Sequence, residues 1–105
     1  MYTPDRWLVV KIETEEKPLY KVFATWASSY LSGQSWQMNS GIVSVTEDEY
    51  FYYFKGVSGS IYKCHKETYG CFSYGASVLS SFMEKLEGKM ETMPEETNWM
   101  ELSYE

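Results

Sequence analysis

Between Trp7 and Lys66 the apolar residues recur with a period of two, and near Ala76 the period changes to that of a helix. That single switch constrains the fold more than any other feature. A short period-two run turns one side of a strand to a core and the other to solvent or a further layer. Trp7–Glu13 (WLVVKIE) sets Leu8, Val10 and Ile12 against Trp7, Val9, Lys11 and Glu13. Thr14 to Pro18 is polar, and Pro18 marks the entrance of a second strand because it cannot donate to a ladder. Leu19–Trp26 (LYKVFATW) places Tyr20, Val22, Ala24 and Trp26 on one face. The serine-rich stretch Ser28–Ser35 around Gly33 reads as a loop.

Trp36–Val45 changes parity midway: Trp36 and Met38 are apolar at even positions, Val43 and Val45 at odd ones. Asn39-Ser40-Gly41 is the natural place for a bulge or sharp bend, since glycine tolerates positive φ. Thr46 to Glu49 reads as a hairpin connection into the aromatic strand Tyr50–Lys55, and Gly56 to Gly59 turns the chain into Ser60–Lys66. Cys71–Tyr74 reads as one further short strand. In Ala76–Glu87 the residues Val78, Leu79, Phe82, Met83 and Leu86 form the stripe of an amphipathic helix. Ser73 or Ser77 is its expected cap, and Gly88 occupies the expected left-handed position beyond it.

Strands joined by turns roughly every eight to twelve residues predict a mainly β fold, a small five-stranded, strongly bent antiparallel barrel with one C-terminal helix. Strict strand–helix alternation is missing, which disfavours a parallel α/β fold. Residues 1–88 are read as a single β-barrel domain with its helix at about 76–87, and 89–105 as an acidic C-terminal tail, either a free arm or a docked segment.

Charge and composition narrow the function classes. The formal net charge is −6, which disfavours duplex nucleic acid as a ligand. Ten Tyr, five Phe and four Trp are more rings than a core of this size buries easily, so some are expected at an interface. No signal peptide or transmembrane stretch is recognisable, and with two cysteines expected as reduced thiols the chain is read as cytoplasmic.

Four constellations are candidates for chemistry. The pair Cys64-His65 with Cys71 offers thiols and an imidazole, but neighbours on a strand point to opposite faces, so one ion cannot easily take both. A Cys64–Cys71 disulfide is the second, disfavoured in a reducing compartment. The third is the aromatic strand beside its cations: Tyr50, Tyr52, Tyr53, Lys55, Lys63, His65 and Lys66. Rings interleaved with cations on a small β fold are suited to stacking single-stranded bases. The alternation puts Phe51 and Tyr53 on one face and Tyr50, Tyr52 and Phe54 on the other; burial or a subunit interface is the competing reading. The fourth, Glu47-Asp48-Glu49, reads as a solvated turn. No phosphate loop, nucleophile elbow or His-Glu-x-x-His helix is present, so no catalytic residue and no cofactor is assigned.

The phrases YKVFATW, SYLSGQSW, NSGIVSV and GSIYKCHKETYG, within Tyr20–Gly70, resemble short proteins of tailed phages and marine metagenomes. At the level of fold the bent strands resemble an SH3-like or Sm-like barrel, and an Sm-like barrel implies ring-shaped oligomers and RNA contacts. The chain lacks that family's Arg-Gly pair, and its helix follows the strands instead of preceding them. Only the architecture is therefore carried over.

The expected function is a self-associating binding module, a homo-oligomer whose ligand is single-stranded RNA or DNA. The alternative is a phage-type accessory factor that docks on a host or viral protein. A contiguous Lys21/Lys55/Lys63/Lys66 patch favours the first, and an acidic exterior with an exposed aromatic patch the second. A third reading, a metal or thiol enzyme, needs Cys64, His65 and Cys71 together.

Overall fold

The computed structural model describes residues 1–29 and 33–104. Its seven strands and one helix are β1 (Arg6–Ile12), β2 (Leu19–Ser29), β3 (Gly33–Met38), β4 (Ile42–Glu47), β5 (Phe51–Gly56), β6 (Ile61–His65), α1 (Ser73–Lys85) and β7 (Met90–Thr92). The strands form two antiparallel sheets, one of four in the order β3-β2-β1-β7 and one of three in the order β4-β5-β6. A mainly β fold with a late helix is what the periodicity indicates. The sheets stay separate, however, and do not close into the expected five-stranded barrel.

The reason lies at Asn39-Ser40-Gly41. The parity change falls there, as the sequence indicates, but it divides Trp36–Val45 into two strands in different sheets. Asn39 stands in for a ladder residue: its N–H donates to the Val22 carbonyl, and its Oδ1 accepts the Val22 N–H at 2.9 Å. Gly41 then takes φ +134, with Leu19 packed so close that an ideal Cβ would stand 3.0 Å from Leu19 Cδ1. The corner carries the chain from one layer to the next.

β1 and β2 hold the middle of the molecule because both their faces are apolar. Toward the three-stranded sheet, Trp7, Val9, Tyr20, Val22 and Ala24 meet Ile42, Phe54, Tyr62 and Cys64. On the opposite face, Leu8, Val10 and Phe23 meet Leu79 of α1 and Met90 of β7. The result is three layers: three-stranded sheet, four-stranded sheet, helix. Trp7 is the hub of the first core, its ring centroid 4.8 Å from Tyr69, 5.4 Å from Phe54 and 5.8 Å from Trp99. Truncating a ring buried to this degree typically costs ~3–5 kcal/mol.

Of the two alternatives for the acidic tail, the docked segment is observed: Met90–Thr92 pairs with β1, and Trp99 is 1% exposed between the sheets. Other local expectations are corrected. The helix starts at Ser73, so Cys71–Tyr74 is not a strand. Neither serine caps it; Phe72 is the N-cap and offers no side-chain hydrogen bond, while Ser77 Oγ donates to the Ser73 carbonyl. Early entry is possible because Gly75 lets the first turn lie against Thr25. Gly88 has φ +83, yet Glu87, with φ +52, is the first left-handed residue after the helix. Of the Ser28–Ser35 loop, Ser28, Ser29 and Gly33 to Ser35 are strand, with Ser29 opposite Gly33, while residues 30–32 lie outside the described residues. Among the described residues no helix is long and apolar enough to cross a membrane.

Candidate nucleic-acid interface

The three-stranded sheet has one face on the core and one turned outward. β5 is its central strand, and the alternation predicted there is observed. Tyr52 and Phe54 turn inward, where Tyr52 lies 6.0 Å from both Trp7 and Phe54. Phe51, Tyr53 and Lys55 turn outward. Their register partners on β6 are His65, Lys63 and Ile61, and on β4 Thr46 lies beside Tyr53 and Ser44 beside Lys55. The helix packs on the other sheet, so it leaves this face open.

Phe51 is the centre of the outward cluster. The Lys63 ammonium sits 4.4 Å from its ring centroid, His65 meets it edge-on at 5.0 Å, and Tyr53 lies 6.4 Å away. A cation held over a ring this way is attracted by the ring quadrupole. His65 is fixed from two sides. Its Nδ1 accepts the Glu67 N–H at 3.1 Å, which in the neutral ring leaves Nε2 as the donor. Its carbonyl accepts the Trp7 indole N–H at 2.7 Å, tying the platform to the hub of the core.

Asp48 orders the other end. Its Oδ1 accepts the N–H groups of Tyr50 and Phe51 at 3.0 and 2.8 Å, and its Oδ2 accepts the Tyr53 hydroxyl at 2.7 Å. The Tyr53 hydrogen bond, followed by the two backbone donors, holds the Asp48 carboxyl below its ordinary range. The same bond raises the Tyr53 hydroxyl above its usual value. Asp48 is therefore more than a solvated turn residue: it closes the hairpin and sets the orientation of a platform ring.

Of the seven candidate residues, the structure brings four together: Tyr53, Lys55, Lys63 and His65 share the outward face. The other three do not join them. Tyr50 sits 60% exposed in the hairpin before β5. Tyr52 faces the core, and Lys66 covers it, with its ammonium 4.9 Å from the Tyr52 ring and 3.5 Å from Glu47 Oε2. Phe51 is the residue left out of the candidate set, although its parity with Tyr53 was readable. The four-lysine patch is not assembled either. Lys21 has the parity of Phe23 and Thr25 and lies opposite Val10, on the helix side of the four-stranded sheet.

The cysteine constellation comes apart as strand parity requires. Cys64 is fully buried, and burial pushes its thiol well above the usual range. Cys71 is a half-buried free thiol raised in the same direction. His65 is on the outer face. Among the described residues no three His, Cys, Asp or Glu side chains gather as a metal site.

Compared with known proteins, the chain matches no family model, no curated protein and no solved structure.

Proposed function

We propose that the protein is a binding module that takes single-stranded nucleic acid on the outer face of its three-stranded sheet. One observation carries this reading: Phe51 and Tyr53 project from the central strand of an uncovered face that also holds Lys55, Lys63 and His65. Rings spaced along a strand give neighbouring bases a stacking surface, and cations beside them meet the phosphates. The acidic hairpin Glu47-Asp48-Glu49 lies at the Phe51 end. The backbone of the ligand therefore runs toward Lys55 at the other end, with its bases on the rings, while Lys63 over Phe51 offsets the charge of the hairpin.

The test is a fluorescence-anisotropy titration with a labelled ten-nucleotide oligouridylate at low salt. Losing one stacked base costs ~1–3 kcal/mol, so Tyr53→Ala or Phe51→Ala weakens binding by roughly five- to 150-fold. Tyr53→Phe, which keeps the ring, retains most of it. Two phosphate contacts predict a slope of about −1.4 in log K against log salt. Lys21→Ala, on the opposite side of the molecule, is the control. If the ring variants bind no more weakly than Lys21→Ala, the reading fails.

A second reading has its own support. Only two of the four lysines share the face, and a carboxylate rims it, so its ring content exceeds its charge. That balance suits a protein partner, the alternative role of an accessory factor that docks on another protein. A well-folded protein indifferent to the oligonucleotide leaves this as the working function.

A further inference from the structure

The three-stranded sheet has two edges, and they differ. The free edge of β6 is covered by the N-terminus: Tyr2 N–H donates to the Ile61 carbonyl at 2.9 Å, and Lys63 N–H to the Tyr2 carbonyl at 2.7 Å. β4 pairs with β5 and, among the described residues, with no other strand. Natural edge strands are guarded by lysine, proline or brevity, because an open row of N–H and C=O groups templates pairing. Within β4 (IVSVTE) there is no lysine and no proline. Its guarding devices are a bulge at its start, between Ile42 and Ser44, and a single charge at its end, Glu47, which is paired with Lys66.

The hydrogen-bond phase of β4 identifies the groups left open. Asp48 N–H donates to the Phe51 carbonyl. Hydrogen-bonded pairs alternate along an antiparallel ladder, so Thr46 and Ser44 bond to Tyr53 and Lys55, while Val45 and Glu47 aim their N–H and C=O groups away from β5. A two-fold pairing of β4 with itself needs a register in which these outward groups meet and the pleat matches. Centring the axis on Val45 satisfies both conditions. Val45 then exchanges a pair of backbone hydrogen bonds with Val45 of the partner subunit. Ser44 lies opposite the partner's Thr46 on the outer face, a cross-strand hydroxyl pair of the favourable kind. Glu47 faces the partner's Val43, so no two like charges are opposed.

We infer that two copies of this chain join through β4, edge to edge and antiparallel about Val45, into one continuous six-stranded sheet. The outer faces of the two copies then merge. Their central strands β5 lie three strand spacings apart, roughly 14 Å, and each brings Phe51, Tyr53, Lys55, Lys63 and His65 to the common surface. The pairing stands without any ligand; only this doubling of the platform rests on the function proposed above.

Light scattering after size exclusion, without nucleic acid, tests it across a tenfold range of protein concentration. The wild-type 12.3 kDa chain is expected to run at twice its own mass. Ser44 and Thr46 are exposed, so charge is introduced there without touching the core. Ser44→Lys combined with Thr46→Lys opposes lysines across the axis twice and gives a monomer. Ser44→Lys combined with Thr46→Glu opposes unlike charges and keeps the dimer. Circular dichroism verifies that both variants are folded. A monomeric wild type overturns the inference and leaves the β4 edge to an extended segment of another protein. A dimer that both variants preserve overturns it too, because the interface then lies elsewhere. Failure of oligonucleotide binding alone touches neither outcome.

Discussion

Replacing Gly75 by alanine sets two effects against each other, and the structure decides the sign. Gly75 lies in the first turn of α1. Helix propensity alone makes Gly75→Ala stabilising by about 1 kcal/mol. The fold opposes this, because an ideal Cβ on Gly75 would stand 2.5 Å from Thr25 Cγ2 and 3.3 Å from Phe23 Cε2. The first distance is about 1 Å inside ordinary van der Waals contact. Neither neighbour can swing into solvent, since Thr25 is 1% and Phe23 0% exposed. Thr25 Oγ1 is also held by its hydrogen bond to the Arg6 carbonyl. Overpacking a core of this kind costs ~1–3 kcal/mol. With the clash at the upper end, the net effect is a destabilisation of about 1–2 kcal/mol. Urea unfolding followed by tryptophan fluorescence should show a lower midpoint at an unchanged m-value. Thr25→Ser isolates the cause, because it deletes Cγ2 and retains the hydroxyl. In that background Gly75→Ala should become close to neutral, a coupling of about 1 kcal/mol or more between contacting sites. The reasoning is refuted if Gly75→Ala stabilises the wild-type background, or costs the same in both.

Glu87→Gly should raise stability by about 1 kcal/mol in the same urea assay, because Glu87 holds a left-handed φ of +52 that glycine adopts without penalty. Burial raises Tyr62 and Tyr104 above the ordinary phenol range and pushes Tyr69 up to about 12. Their contribution to stability is complete below pH ~10, the unfolded value, and is lost as the pH climbs through the raised folded values. Absorbance at an alkaline tyrosine band should therefore show these phenols ionising together with unfolding. Simple non-cooperative titration of all ten tyrosines near the unperturbed value would contradict this.

The sequence by itself determined the strand faces and the place where the period changes. Side-chain alternation is a local property of the extended backbone, so parity set Lys63 and His65 against Cys64 within β6, and Phe51 and Tyr53 against Tyr52 and Phe54 within β5, before any packing was known; that the two outward sets share one face comes from the register. The same parity set His65 and Cys64 on opposite faces of β6. Gly41 and the parity break marked the corner for a local reason too, the positive φ that glycine tolerates.

What the tertiary structure decided was everything that depends on which surfaces meet. Period two says that a strand has an inner face, not whether its outer face is covered; β1 and β2 proved to be covered on both sides, by a second sheet and by α1. Whether a parity break is a bulge within one sheet or a passage between two depends on the partner that Asn39 finds, and that partner is Val22, seventeen residues earlier. Lys21 and Lys66 left the candidate patch because its membership is a matter of layer and edge, and both are set by long-range register. The C-terminal segment gave little local signal, since Met90–Thr92 is too short for periodicity and Trp99, Met100 and Leu102 follow neither a strand nor a helix period over any length. Met90–Thr92 and Trp99 are ordered by what the rest of the chain offers them: a free edge of β1, and a slot lined by Trp7, Phe54 and Tyr69.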